Sequence, residues 1–93
     1  MEKALLFTRD NCRLCAKTKK FISELDEDLT GHLKMLSKEK HTALVQAYRI
    51  QFYPTVVLLD YRGFEIDRMT GGEAIRFYLE SFLSTIHQNA SSL

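Results

Sequence analysis

Residues 3–15 read Lys3-Ala4-Leu5-Leu6-Phe7-Thr8-Arg9-Asp10-Asn11-Cys12-Arg13-Leu14-Cys15. The block Ala4 to Phe7 is apolar on both faces of any strand it forms, as a central parallel strand requires. Thr8 to Asn11 is loop chemistry, with Asp10 or Asn11 available to cap a helix. Leu14, Cys15, Phe21, Ile22, Leu25 and Leu29 then recur at three- and four-residue steps. That spacing predicts an amphipathic helix from Arg13 to about Asp28, with Leu14 and Cys15 inside and Lys17, Lys19, Lys20 and Glu24 outside. The acidic run Asp26-Glu27-Asp28 stops it, because a helix C-terminus prefers cations. Two cysteines thus stand where a buried strand hands over to a helix.

Further along, His32 to Leu36 forms a short strand, and Ser37 is placed to cap a helix over Glu39 to Tyr48 with Ala43, Leu44 and Ala47 facing inward. Pro54 opens a second wholly apolar strand, Thr55 to Leu59. Asp60-Tyr61-Arg62-Gly63 is turn chemistry, so the strand Phe64 to Met69 returns antiparallel as a hairpin. Gly71-Gly72 breaks the chain, and Glu73 to His87 makes the last helix, with Ile75, Tyr78, Leu79, Phe82 and Ile86 on its buried stripe. The order is β-α-β-α-β-β-α. Two continuous apolar strands need helices on both faces, so the expectation is an α/β protein, a three-layer α/β/α sandwich on a mixed four-stranded sheet. Residues 88–93 read as a tail that frays.

A chain of 93 residues is one domain, 1–93. With 45% hydrophobic and 27% charged residues it is an ordinary globular composition. A net charge of +1 argues against a nucleic-acid binder held by phosphate contacts. No apolar run approaches the ~20 residues that span a membrane. Nor do Glu2 and Lys3, followed by only four apolar residues before Arg9-Asp10, make a signal peptide. The expected place is the reducing cytoplasm, as a monomer, where paired cysteines are catalytic or metal-binding rather than structural staples.

The chain's two cysteines form the motif Cys12-Arg13-Leu14-Cys15. A helix start offers free N–H groups and a positive dipole end to a thiolate, and Arg9 and Arg13 add charge beside it. The thiolate is the attacking species in disulfide exchange, so a pKa lowered from ~8.5 towards neutral activates Cys12. Cys12 is assigned as nucleophile and Cys15, on the inner face, as the resolving thiol. Half a zinc site is the competing reading, but no second such motif completes four ligands, and His32, His41 and His87 fall on separate elements. Inert core cysteines are the third.

The segment Thr8 to Cys15 resembles the active site of glutaredoxins, where a basic residue stands three before the first cysteine, as Arg9 does. Ala47 to Asp60, with Tyr48, Pro54-Thr55 and a hydrophobic strand in order, resembles the thioredoxin segment around its cis-proline, and Gly71-Gly72 again resembles glutaredoxins. Together these imply a thioredoxin-like fold and a thiol–disulfide oxidoreductase acting on disulfide-containing proteins, with no bound cofactor. The alternative is a thioredoxin-fold module whose cysteines bind metal or sense redox state for a partner. The resemblance implies a cis bond before Pro54, with Tyr53 offering its backbone to an extended substrate. It also implies that Gly71-Gly72 could cradle a carboxylate of glutathione, although positive backbone angles alone would explain two glycines there. Glutathione or a thioredoxin-reductase-type enzyme is the implied electron donor, the second ahead of the first. The sequence departs from both patterns: Arg13-Leu14 separate the cysteines, Glu73 follows the glycines, and Leu6 replaces the buried aspartate of thioredoxins.

Overall fold

A computed structural model describes residues 3–91. Strands β1 (Lys3–Thr8), β2 (Leu33–Ser37), β3 (Thr55–Leu59) and β4 (Glu65–Thr70) form one sheet in the order β2-β1-β3-β4. β1 runs parallel to β2, with Ala4 opposite Leu33, and antiparallel to β3, with Leu5 opposite Val57. β3 and β4 form the antiparallel hairpin, in a register shifted by a bulge at Leu58/Leu59. The two apolar blocks are therefore the two central strands. Ala4 to Thr8 and all of β3 are buried.

Helices α1 (Arg13–Ser23), α2 (Glu27–Thr30) and α4 (Gly72–Ser91) cover one face, and α3 (Thr42–Ala47) lies on the other. Strand alternation splits the core between them. Ala4, Leu6, Val56 and Leu58 meet Ile22, Ile75, Leu79, Leu83 and Ile86, while Leu5, Phe7, Val57 and Leu59 meet Leu36 and Ile50, with Val45, Tyr48 and Tyr53 packed alongside. Burying one such Leu or Phe side chain is worth about 1.5–3 kcal/mol. This is the expected three-layer α/β/α architecture with a mixed four-stranded sheet.

Several local expectations change. The long first helix is two: α1 stops at Ser23, and Asp26 caps the single turn α2 by accepting the Asp28 amide at 3.2 Å. Acid residues that a helix end disfavours serve a helix start instead. Leu14 does not share the inner face with Cys15; it is 55% exposed. The third helix begins at Thr42 rather than Glu39, and Ser37 does not cap it, because residues 38–40 make a turn in which the Lys40 and His41 amides both donate to the Ser37 carbonyl. Its inward side is Val45 and Tyr48, with Ile50 behind, and not Ala43, Leu44 and Ala47, because the later start turns a different face of the helix to the sheet. On α4 the deep positions are Ile75, Leu79, Leu83 and Ile86; Tyr78 is exposed. α4 also runs through residue 88 to Ser91, the start of the expected tail, and residues 92 and 93 lie outside the described residues.

The hairpin turn is held by Asp60, whose Oδ1 accepts the amides of Arg62 at 2.9 Å and Phe64 at 3.0 Å, while Gly63 takes a φ of 88°. These bonds, the Phe64 amide first, hold the Asp60 carboxyl below its ordinary value of 3.8. Because the folded pKa is the lower one, the stabilisation is complete above the unfolded pKa and is lost as pH falls through the folded value. Asp60→Ala should therefore lower Tm at neutral pH and make it less sensitive to acid below about pH 4. Asp60→Asn, which keeps an acceptor oxygen, should recover part of the neutral-pH loss; thermal melts against pH read both.

Candidate active site

The loop after β1 carries the site. Asn11 adopts a left-handed φ of 54°, which turns the chain so that Cys12, in extended conformation, becomes the N-cap of α1. Neither Asp10 nor Asn11 is the cap, because the helix starts at Arg13, two residues later than a cap at Asp10 would require and one later than a cap at Asn11. The Cys12 sulfur itself accepts the Cys15 amide at 3.1 Å. Cys12 and Cys15 are joined as a disulfide across one turn, with Cα atoms 5.2 Å apart. Cys12 is half-buried, whereas Cys15 is 1% exposed beneath it. Only the first sulfur can meet an incoming molecule.

Charge gathers around that sulfur. An open groove of about 570 Å³ runs alongside the dithiol, with Arg9, Arg13 and Lys19 on its walls beside Asp10. Once the disulfide is reduced, the Cys15 amide and the nearer cations, Arg9 and Arg13, should favour the thiolate form of Cys12. Its absorbance titration should therefore show a pKa below ~8.5, and Arg13→Glu, which replaces a cation by an anion one residue away, should raise it. A wild-type midpoint at the ordinary thiol value would mean that the helix start does not activate the sulfur.

Just ahead of β3, where Thr55 pairs with Phe7 at the end of β1, the Tyr53–Pro54 peptide is cis. Pro54 is buried and Tyr53 partly so, while Phe52 beside them is 65% exposed. The Tyr53 ring leans into the α3-side core, with the Lys38 ammonium 5.8 Å from its centroid. Burial first, and then the Glu39 carboxylate, hold the Tyr53 phenol above its ordinary value against the pull of Arg9. Glu39 also accepts the Asp10 amide, at 3.2 and 3.3 Å, and so ties the cysteine loop to the loop after β2. Sequence reasoning misses Lys38 and Glu39. Glu39 lies 29 residues from Asp10, and no spacing rule joins two loops that only strand pairing brings together.

Gly71 and Gly72 have structural work of their own. Gly71 sits at φ 93°, and its amide donates to the Pro54 carbonyl at 2.9 Å, tying the start of α4 to the proline loop. A Cβ on Gly72 would stand 3.3 Å from the Thr18 hydroxyl of α1. One glycine supplies a backbone angle and the other a close approach between helices. Arg9, Cys12, Arg13 and Cys15 are brought together on one groove; Gly71 meets Pro54 on the neighbouring loop. At the position of the thioredoxin aspartate, Leu6 is wholly buried in the apolar core.

Comparison with known proteins agrees with this arrangement. The chain resembles thioredoxin from Trypanosoma brucei brucei, with a TM-score of 0.74 at 16% identity over 95% of this chain and 76% of that one. It resembles the Malassezia sympodialis thioredoxin Mala s 13 at a TM-score of 0.73 and 16% identity, over 92% and 75% of the two chains. Thioredoxin from Thermus thermophilus gives 0.67 at 20% identity, over 91% and 72%. At such identities these likenesses speak for the fold alone. No curated protein matches the sequence significantly. The profile of the thioredoxin-like domain matches residues 2–80, from the start of β1 past the dithiol, the cis-proline and the double glycine, and the chain belongs to that family.

Proposed function

We propose that this protein is a thiol–disulfide oxidoreductase that reduces disulfides in other proteins through Cys12 and Cys15. The observation that carries the reading is the pairing of a half-buried sulfur at a helix N-cap with a buried one a turn below it. In the reduced protein the Cys12 thiolate attacks one sulfur of a substrate disulfide. The substrate S–S bond breaks, a Cys12–substrate disulfide forms, and the departing sulfur leaves as a thiolate that takes a proton. Cys15, as thiolate, then attacks the Cys12 sulfur. The second substrate thiol is released, and the Cys12–Cys15 disulfide seen here remains. Two electrons have passed to the substrate.

Tyr53 and Pro54 give the substrate its track. The main chain of Tyr53 lies just ahead of β3, whose pairing with β1 and β4 begins at Thr55, so an extended segment can align there like an added strand. The donor that restores the dithiol is a thioredoxin-reductase-type flavoprotein in preference to glutathione. The protein acts as a monomer in a reducing compartment, the cytoplasm. Among the described residues no helix is long and apolar enough to cross a membrane.

The rival is a module in which the cysteines ligate a metal or report redox state to a partner. Anaerobically purified protein, assayed for metal and for insulin-disulfide reduction with dithiothreitol, separates the two. Turnover without stoichiometric metal is the expected result; bound metal without turnover would make the rival correct.

A further inference from the structure

We infer that the physiological disulfide lies in an acidic protein segment, whose carboxylates are read by the cationic groove beside the dithiol. The inference rests on exchange at Cys12 and names the substrate class for it.

The chain as a whole carries a net charge of only +1. The groove nevertheless gathers Arg9, Arg13 and Lys19 against the single carboxylate of Asp10. The ion pairs among the described residues are Arg62–Asp60 and Arg68–Glu65, both in the β3–β4 hairpin, so none of the three groove cations has a carboxylate partner there. Glu39, the other acid near the loop, receives the Asp10 amide and is thereby held against the loop's backbone. Glu39 offsets part of this charge from behind the loop, but the groove wall itself carries a local surplus, three cations against one carboxylate.

Activating the thiolate accounts for only part of it. Arg13 adjoins Cys12 and can do that. Lys19 lies six residues further along α1, about 9 Å at 1.5 Å per residue. That is too far for a large effect on the sulfur through solvent, yet it still lines the same groove. A cation line of that length spans about three residues of an extended peptide at ~3.3 Å each. Carboxylates within three residues of the substrate cysteine would meet it. The exposed Leu14, between the two cysteines in sequence, does not line this groove, so an apolar and a cationic surface flank the dithiol separately. A substrate with acid on one side of its cysteine is thereby also given a direction.

The test uses the full chain, reduced beforehand, in single-turnover reactions with three peptides closed by the same disulfide and flanked by Asp/Glu, by Ser, or by Lys. At low ionic strength the acidic peptide should react about tenfold faster than the neutral one, and the basic peptide slower still, as expected of two or three exposed charge pairs. At about 0.5 M salt, where screening acts within a few ångströms, the three rates should converge. Lys19→Glu should bring the acidic-to-neutral ratio close to one, while Lys34→Glu, a change of the same charge on β2 outside the groove, should leave the ratio standing. Equal rates for the three peptides at low salt, or a ratio untouched by Lys19→Glu, would overturn the acidic-substrate inference and leave exchange intact. Faster reaction with glutathione disulfide than with the acidic peptide would also overturn it, in favour of a small anionic substrate. Exchange with none of these disulfides would remove the oxidoreductase reading itself.

Discussion

Cys15→Ser should accumulate a stable mixed disulfide between Cys12 and its substrate, and Cys12→Ser should fall to the uncatalysed background. The asymmetry follows from position. Cys12 caps α1 at the surface and its sulfur accepts a helix amide, whereas Cys15 is 1% exposed in the first buried turn. With Cys12 replaced, the chain's other thiol can neither be reached nor receive the same electrostatic help, and no third cysteine exists. With Cys15 replaced, attack proceeds but nothing breaks the covalent intermediate. A serine hydroxyl in so buried a place costs about 1–3 kcal/mol if it finds no hydrogen-bond partner, so a melt must accompany the assay. Cys15→Ala, which leaves no orphaned hydroxyl, should trap the same adduct. The adduct is read by intact mass before and after a reductant. An adduct on Cys15 in Cys12→Ser, with none on Cys12 in the reverse variant, would invert the assignment.

What the sequence makes legible follows from how local each signal is. Ala4 to Phe7 and Thr55 to Leu59 are continuous apolar runs, and such runs are buried on both faces wherever they pair; this makes the central strands and the three layers plain. Cys12 and Cys15 declare themselves by spacing and by what precedes them. Side-chain facing on short helices is another matter. Leu14 is apolar and sits at the right step, yet at the first turn of α1 it faces solvent, 55% exposed. On α3 the choice between Leu44 and Val45 turns on where the helix starts, and that is decided by a turn at 38–40 that bonds to the Ser37 carbonyl instead of the Ser37 side chain. The hold of Glu39 on the Asp10 amide has no sequence signal at all, because it exists only once β2 lies parallel to β1.

Glutathione alone should reduce the oxidised protein at least about tenfold less efficiently than a thioredoxin-reductase-type flavoenzyme supplied with NADPH. A glutathione site is only partly furnished. Arg9 is exposed on the dithiol groove and available to a carboxylate. Gly71, however, has already given its amide to the Pro54 carbonyl, and Gly72 is explained by its approach to Thr18. Glu73, exposed in the first turn of α4, adds an anion where an incoming carboxylate would have to settle. Tyr53 fills the position before the proline with a ring that packs into the core. Each charge-assisted hydrogen bond that a ligand fails to make costs about 1.5–3 kcal/mol, or ten- to a hundredfold in affinity. A flavoenzyme docking over the exposed Leu14 beside the dithiol would need none of those bonds. The measurement is the rate at which the Cys12–Cys15 disulfide disappears with millimolar glutathione and, separately, with reductase and NADPH. Glu73→Ser should narrow the gap by favouring the glutathione arm, since it removes the repelling charge. Rapid, saturable turnover of the wild-type protein with glutathione alone would make it a glutaredoxin in function despite these obstacles.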